Sequence, residues 1–424
     1  AAIPRGDEFA HWMETEDGHS IIKSQGTWYY AISDGKGGLM ASDLEVGVLL
    51  PEELRILPLH LSPTTDPEVR FRGPIRKIRR PPDDSLGKAP QVLAVPAIQN
   101  VLFILVDYSD QVFTYPDSSF ESLAFAATDS VKEYFLENSY GQMTVSPAAE
   151  TYGVANDGIV HVTRGITHPN LGQSNWSSEA REIVSLADSF VQFSSFDTNV
   201  DGTISPEELS IVIILAGYET SYGGQANALQ PNVWGHAAGF STLTLDGVNL
   251  SPYAMFGEAH AISEQSKHLA TIGIMCHELG HLMFALPDLY DTDQSSAGIG
   301  VWGLMGAGSW NSAGSYSGET PAHLSAWSKI ATAMTSPNDI LTDQSAVGFA
   351  DVESNESVVR VWVDKYKVAT NEYFLLENRR LAGFDAGLPG EGLLIWHIDN
   401  GKTGNADESH KRVDVEEADG LGEL

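Results

Sequence analysis

The stretch His277-Glu278-Leu279-Gly280-His281-Leu282-Met283-Phe284-Ala285-Leu286-Pro287-Asp288 decides how the chain is read. Two histidines four residues apart share one face of a helix, so both imidazoles reach a single ion. Glu278 adjoins the first histidine, close enough to take a proton from an activated water without itself being a ligand. The apolar run from about Leu269 to Phe284 predicts the helix that carries all three, and Pro287 ends it. A zinc ion held by two histidines needs a third protein ligand and one open position. Asp288 is the first choice, because a chain reversing after Pro287 brings it back beside the imidazoles. Asp291 is the second choice, and a glutamate on another helix the third. Cys276, the single cysteine, excludes a disulfide framework and reads as a small packed hydrophobe.

Downstream, Gly300-Val301-Trp302-Gly303-Leu304-Met305-Gly306-Ala307-Gly308-Ser309-Trp310 is a glycine-rich stretch with Met305 at its centre, suited to an apolar floor beneath the ion. Upstream, Asp197-Thr198-Asn199-Val200-Asp201-Gly202-Thr203-Ile204-Ser205-Pro206-Glu207-Glu208 follows the twelve-residue calcium-loop pattern. Asp197, Asn199 and Asp201 supply oxygens at positions 1, 3 and 5, and Gly202 permits the turn. Thr203 offers its carbonyl, Ser205 sits at position 9, and Glu208 closes the site. Because Ile211 to Leu215 reads as a core strand, the calcium is expected to pin a loop and not to open a groove.

Elsewhere the first 70 residues read as short strands and turns. Between Arg70 and Arg80 lie six of the 24 basic residues, followed by the Pro-rich 81–90. An extended basic stretch of this kind suits a linker that a protease enters, so a boundary is expected near residue 94. From Val95 the pattern is α/β: a buried strand at 100–107, a helix capped by Asp129, a second helix over 178–190 and a strand at 211–215. After about Ser336 strands return at 358–363, 372–376 and 392–398.

Asp and Glu outnumber Lys and Arg by 57 to 24, a formal charge of -33, which excludes nucleic acid and anionic membrane surfaces as partners. Hydrophobic content of 42% suffices for a core, and no apolar run approaches the ~20 residues of a membrane span. The opening Ala1-Ala2-Ile3-Pro4 is compatible with a removed signal peptide, and the acidic end suggests that further domains follow.

Taken together these motifs resemble the M6 family of secreted bacterial metallopeptidases, the immune inhibitor A-like group. His277 to His281 with Leu286 to Asp291 is the most specific match. Gly6 to Trp12, Tyr134 to Gly141, Leu304-Met305 with Gly308 to Trp310, Phe374 to Arg379 and Gly392 to Asp399 extend it. One departure stands out: Phe284-Ala285 occupies the place of a single glycine, so Asp288 comes one residue late. The resemblance implies an α/β (α+β) zincin-like catalytic domain over 95–335 with an active-site helix. A small β-rich pro-segment over 1–94 and a β-rich subdomain over 336–424 flank it. It also implies Zn2+ on His277, His281 and Asp288, Glu278 as general base, and protein or peptide substrates. Export to the extracellular space as a precursor, with the pro-segment as intramolecular inhibitor, completes the expectation. Asp7, Glu8 and His11 are candidate latency groups, and His236, His397 and Tyr290 candidate oxyanion donors. Two other classes fit the composition: a catalytically inactive calcium-binding adhesion module, and a zinc hydrolase of non-peptide substrates.

Overall fold

The computed structural model describes residues 2–6, 11–15, 18–24, 27–33, 39–48, 95–172, 174–222, 229–292, 296–343, 347–362 and 371–417. The basic stretch 70–80, the Pro-rich 81–90, Asp7, Glu8, Asp293 and the side chain of His11 lie outside them. Among the described residues there are five α-helices: α1 (Asp117–Phe125), α2 (Val131–Asn138), α3 (Ser177–Ala187), α4 (Ile272–Phe284) and α5 (Ala326–Ala331). No described helix is long and apolar enough to cross a membrane. The chain folds as two compact units. One takes the N-terminal strands with Asn100–Leu123 and Ser146–Thr271, and the other takes Ala124–Val145 and the chain from Ile272 onward.

In the first unit, β1 (Ala2–Gly6), β2 (His11–Thr15), β3 (Ser20–Ser24), β4 (Thr27–Ser33) and β5 (Leu39–Glu45) form an antiparallel meander. Ile21 and Tyr30 face each other across β3 and β4, and both are buried. The larger sheet is assembled from β6 (Ile98–Tyr108), β7 (Thr144–Pro147), β8 (Ile159–Arg164), β9 (Ser210–Glu219), β10 (Asn232–Val233), β11 (His236–Leu245), β12 (Val248–His260) and β13 (His268–Leu269). Its order is β11-β12-β9-β6-β7, with β8 on β6, β10 on β9 and β13 on β12. The β8, β6, β9 and β12 pairings are parallel, which explains why β6 and β9 read as continuous apolar runs: a parallel sheet is buried on both faces. Every residue of β9 is buried. Ala180, Ile183, Val184 and Ala187 of α3 fall at helical spacing and pack into the same core as Leu102, Ile104 and Ile213.

Two local expectations change. Asp129 does not cap α2; it sits at φ 55, and Ser130, extended at φ -132, accepts from the Glu133 N–H instead. The active-site helix starts at Ile272, later than Leu269, because Leu269 pairs with Ala259 and the Ala270 N–H is taken by the Glu258 carbonyl.

The second unit is organised around α4, whose residues are buried except at His281 and Phe284. Gly273 permits a close approach: a Cβ there would lie 1.8 Å from the Ser309 carbonyl oxygen, in the segment following the Met305 turn. Phe135 of α2 packs its ring against Phe284, with centroids 6.0 Å apart. The unit closes with a five-stranded sheet of β14 (Asn338–Ile340), β15 (Val359–Trp362), β16 (Glu372–Arg379), β17 (Gly392–Asp399) and β18 (Val413–Val415), in that order. Along β16 burial alternates strictly, the mark of a sheet with one face inward.

Candidate metal centre

His277 and His281 lie one turn apart on α4, with their Nε2 atoms 3.1 Å from each other. Asp288 completes the cluster: its Oδ1 is 2.8 Å from His281 Nε2 and 3.3 Å from His277 Nε2. Among the described residues these three form the group of His, Cys, Asp and Glu side chains whose ligand atoms all lie within 4.8 Å of one another. Asp291 is placed otherwise; it is buried, and its Oδ2 accepts from the Ser296 N–H at 2.8 Å.

The turn that delivers Asp288 absorbs the extra residue noted in the sequence. Ala285 takes the left-handed conformation at φ 51, its N–H still bonds the His281 carbonyl, and the Leu286 N–H reaches back to the Gly280 carbonyl. That last bond spans one residue more than the usual six-to-one helix closure.

Both imidazoles are oriented by main chain. His277 Nδ1 lies 2.9 Å from the Leu304 carbonyl and His281 Nδ1 lies 2.6 Å from the Leu286 carbonyl. A carbonyl only accepts, so each Nδ1 carries the hydrogen and each Nε2 presents a lone pair to the cluster. Two such lone pairs and a carboxylate oxygen within about 3 Å repel one another unless a cation sits among them. The donor set, two neutral imidazoles and one carboxylate, is one that zinc accepts with a position left open. A proton is the competing cation. Burial alone would lower His281, but the Asp288 carboxylate outweighs it and pushes the imidazole up to about 9. Its partner Asp288 is held far below the ordinary carboxylate range by the two histidines.

Met305 is buried beneath this face of α4, and a Cβ at Gly280 would lie 2.9 Å from its sulfur. The glycine between the histidines is therefore what lets the methionine floor approach. Glu278 is 2% exposed on the same helix. The Tyr290 ring lies near-parallel to that of His277, with centroids 6.4 Å apart.

His397 bonds Glu372 at 3.0 Å. His236 belongs to the first unit, where its ring nitrogens contact the Trp234 carbonyl and the Tyr253 hydroxyl. Burial pushes His236 down to about 4, so the fold holds it neutral. A histidine lowered in this way contributes stability above its ordinary value near 6.5, and that contribution drains away as pH falls towards 4. The loss amounts to about 3 kcal/mol at 1.36 kcal/mol per unit. Thermal unfolding followed by circular dichroism is expected to shift down across that range in the parent chain and less in His236→Asn. Equal shifts would refute it.

The calcium-type loop lies in the first unit. Asp197 accepts from the Asp201 and Gly202 N–H groups at 3.1 and 3.0 Å, Asn199 from Asp201 at 2.8 Å, and Asp201 from Thr203 at 2.8 Å. Glu208 reaches across to the Thr198, Asn199 and Ser205 N–H groups. Burial would raise Glu208, but these bonds prevail and hold it below its ordinary value. The loop is anchored to β12 through Ile204 N–H to the Asn249 carbonyl and Asn249 N–H to the Gly202 carbonyl.

Sequence reasoning missed the Leu286 and Leu304 carbonyls, because a main-chain acceptor leaves no residue-type signature. The Met305–Gly280 contact was legible only as a turn.

The sequence profile described as "Immune inhibitor A peptidase M6, catalytic domain" matches residues 103–334. Immune inhibitor A of Bacillus thuringiensis subsp. alesti is 28% identical over 244 residues, covering 52% of this chain and 33% of that protein's length. The pre-pro-metalloprotease PrtV of Vibrio cholerae serotype O1 is 40% identical over 62 residues, 14% of this chain and 6% of PrtV. The matches thus span a third or less of these relatives. Metalloproteinase-II from Bacteroides fragilis superposes over 76% of this chain and 80% of its own at 14% identity and a TM-score of 0.24, too loose to inform the site. With more than half of its residues under the profile, the chain belongs to the immune inhibitor A peptidase M6 family.

Proposed function

We propose that this chain is a zinc-dependent endopeptidase in which His277, His281 and Asp288 hold the metal and Glu278 is the general base. The observation that carries the reading is the convergence of two Nε2 lone pairs and Asp288 Oδ1, with both Nδ1 hydrogens turned to carbonyls. Bound zinc would supply Lewis acidity towards a peptide carbonyl and an attacking water. Asp288 and the two Nε2 atoms bind and orient it; the Leu286 and Leu304 carbonyls keep the ring tautomers fixed. Glu278 takes the proton of the attacking water and returns it to the departing amine. Tyr290, whose ring lies beside His277, is assigned as donor to the developing oxyanion. Substrates are proteins or peptides in extended form, aligned by main-chain pairing with an edge strand.

The same reading includes a latent, exported precursor in which residues 1–94 block the cleft until the basic stretch is cut. The pre-pro-metalloprotease name of one relative supports it. The test is casein hydrolysis before and after limited trypsin nicking, with a chain starting near residue 95 alongside. Activity that rises on nicking is expected, and equal activity of the full and shortened chains would overturn latency.

Asp197, Asn199, Asp201, the Thr203 carbonyl and Glu208 are assigned to one structural calcium. At ten times its dissociation constant, the ion adds about 1.4 kcal/mol to the unit it binds. Chelation is expected to lower the melting temperature of the parent chain by a few degrees and to leave that of Glu208→Gln unmoved. A parent melting temperature indifferent to calcium would refute the assignment.

A further inference from the structure

We infer that Asn405 is a positioning residue for the third ligand Asp288, so that the metal centre depends on chain far beyond residue 334, where the family match ends. The inference rests on the zinc reading above. Asn405 is 1% exposed and uses its full hydrogen-bonding capacity. Its Nδ2 donates to the Leu289 and Val413 carbonyls, each at 2.7 Å. Its Oδ1 accepts from the Arg412 and Val413 N–H groups, each at 3.1 Å. The amide therefore stitches the loop between β17 and β18 to the residue immediately after Asp288.

Leu289 is wholly buried, and every polar group it has is fixed. Its N–H donates to the Met305 carbonyl at 2.8 Å, and its carbonyl accepts from Ile299 at 3.0 Å as well as from Asn405. Gly298 lies so close that a Cβ there would come within 2.4 Å of the Leu289 oxygen. The Met305 turn is also the reference for the first ligand, since Leu304 supplies the carbonyl that orients His277. Asp288 and His277 are thus set against the same turn, and Asn405 holds the Asp288 side of that arrangement. The Asp288 carboxylate hangs one residue from the clamped carbonyl; without Asn405 that carbonyl keeps only the Ile299 N–H, and the loosened turn would let Oδ1 drift from the two Nε2 atoms. An outer-shell partner of this kind typically changes metal affinity by about 10–100-fold.

The experiment uses the full chain. Zinc dissociation constants are measured by competition with a fluorescent chelator, and absorption spectra are recorded on the cobalt-loaded protein, for the parent, Asn405→Ala, Asn405→Asp and His281→Ala. Asn405→Asp keeps an acceptor for Arg412 and Val413 but sets an oxygen against the Leu289 carbonyl, which protects the test should the alanine variant fail to fold. Leu375→Ala, in the core of β16, serves as a destabilised control, and all are measured well below their melting temperatures. The expected result is zinc affinity weakened by about 10–100-fold in the Asn405 variants with a shifted cobalt spectrum, and parent-like values in Leu375→Ala. Parent-like affinity and spectrum in a folded Asn405 variant would overturn the inference alone. So would equal weakening in Leu375→Ala, which would mark the effect as loss of stability. Unchanged affinity in His281→Ala would instead overturn the zinc reading, and the inference with it.

Discussion

Glu278→Gln is expected to bind zinc as the parent does and to hydrolyse casein about a thousandfold more slowly, within the 10²–10⁴ that a positioned general base contributes. The substitution is close to isosteric, and Glu278 is 2% exposed on a helix packed on nearly every side, so shape is the property to preserve. What the amide loses is the ability to hold a proton between attack and departure of the amine. Zinc content and kcat/KM measured together separate the two roles. Full activity with bound zinc would remove Glu278 from the mechanism, whereas loss of zinc would recast it as a ligand or a support of one.

The second large effect is on metal. Asp288→Ala is expected to weaken zinc binding by at least about a hundredfold, the upper end of what loss of a mere outer partner costs. It also has a signature in the metal-free chain. Burial lowers His281, and the Asp288 carboxylate is what reverses this and lifts it to about 9. Removing the carboxylate is expected to bring the His281 titration, followed by NMR, down from about 9. Asp291→Ala, which removes the acceptor of the Ser296 N–H, is expected to keep both zinc and the raised titration. If the two variants exchanged behaviour, Asp291 would be the ligand.

The face that brings His277 and His281 together was legible because a four-residue spacing on a helix is a property of sequence alone. The third corner was legible only as a preference for Asp288 over Asp291. Three carboxylates follow Pro287, and what selects among them is the width of the turn, set by Ala285 in a left-handed conformation that its residue type does not announce. The helix start was misjudged at Leu269 for a related reason: apolar periodicity runs on into β13, and only the pairing with β12 ends it. Strands β11 and β12 were unread because much of their length is buried on both faces, leaving no alternation to detect. Asn405 sits in the polar run Lys402-Thr403-Gly404-Asn405-Ala406-Asp407 and reads as an ordinary surface turn. Its burial is a product of tertiary folding.

That the Leu286 and Leu304 carbonyls orient the two imidazoles bears on how such a chain drifts over time. A side-chain acceptor is lost with one base change, while a peptide carbonyl survives any substitution that leaves the backbone path intact. Positions 286 and 304 are therefore open to selection on apolar shape alone, and a lineage can remodel the surroundings of its histidines without passing through forms that have lost their orientation. For the engineer the same two positions are the places to change the floor of the site first, and the neighbouring Gly280, against which Met305 packs, is the place to leave alone.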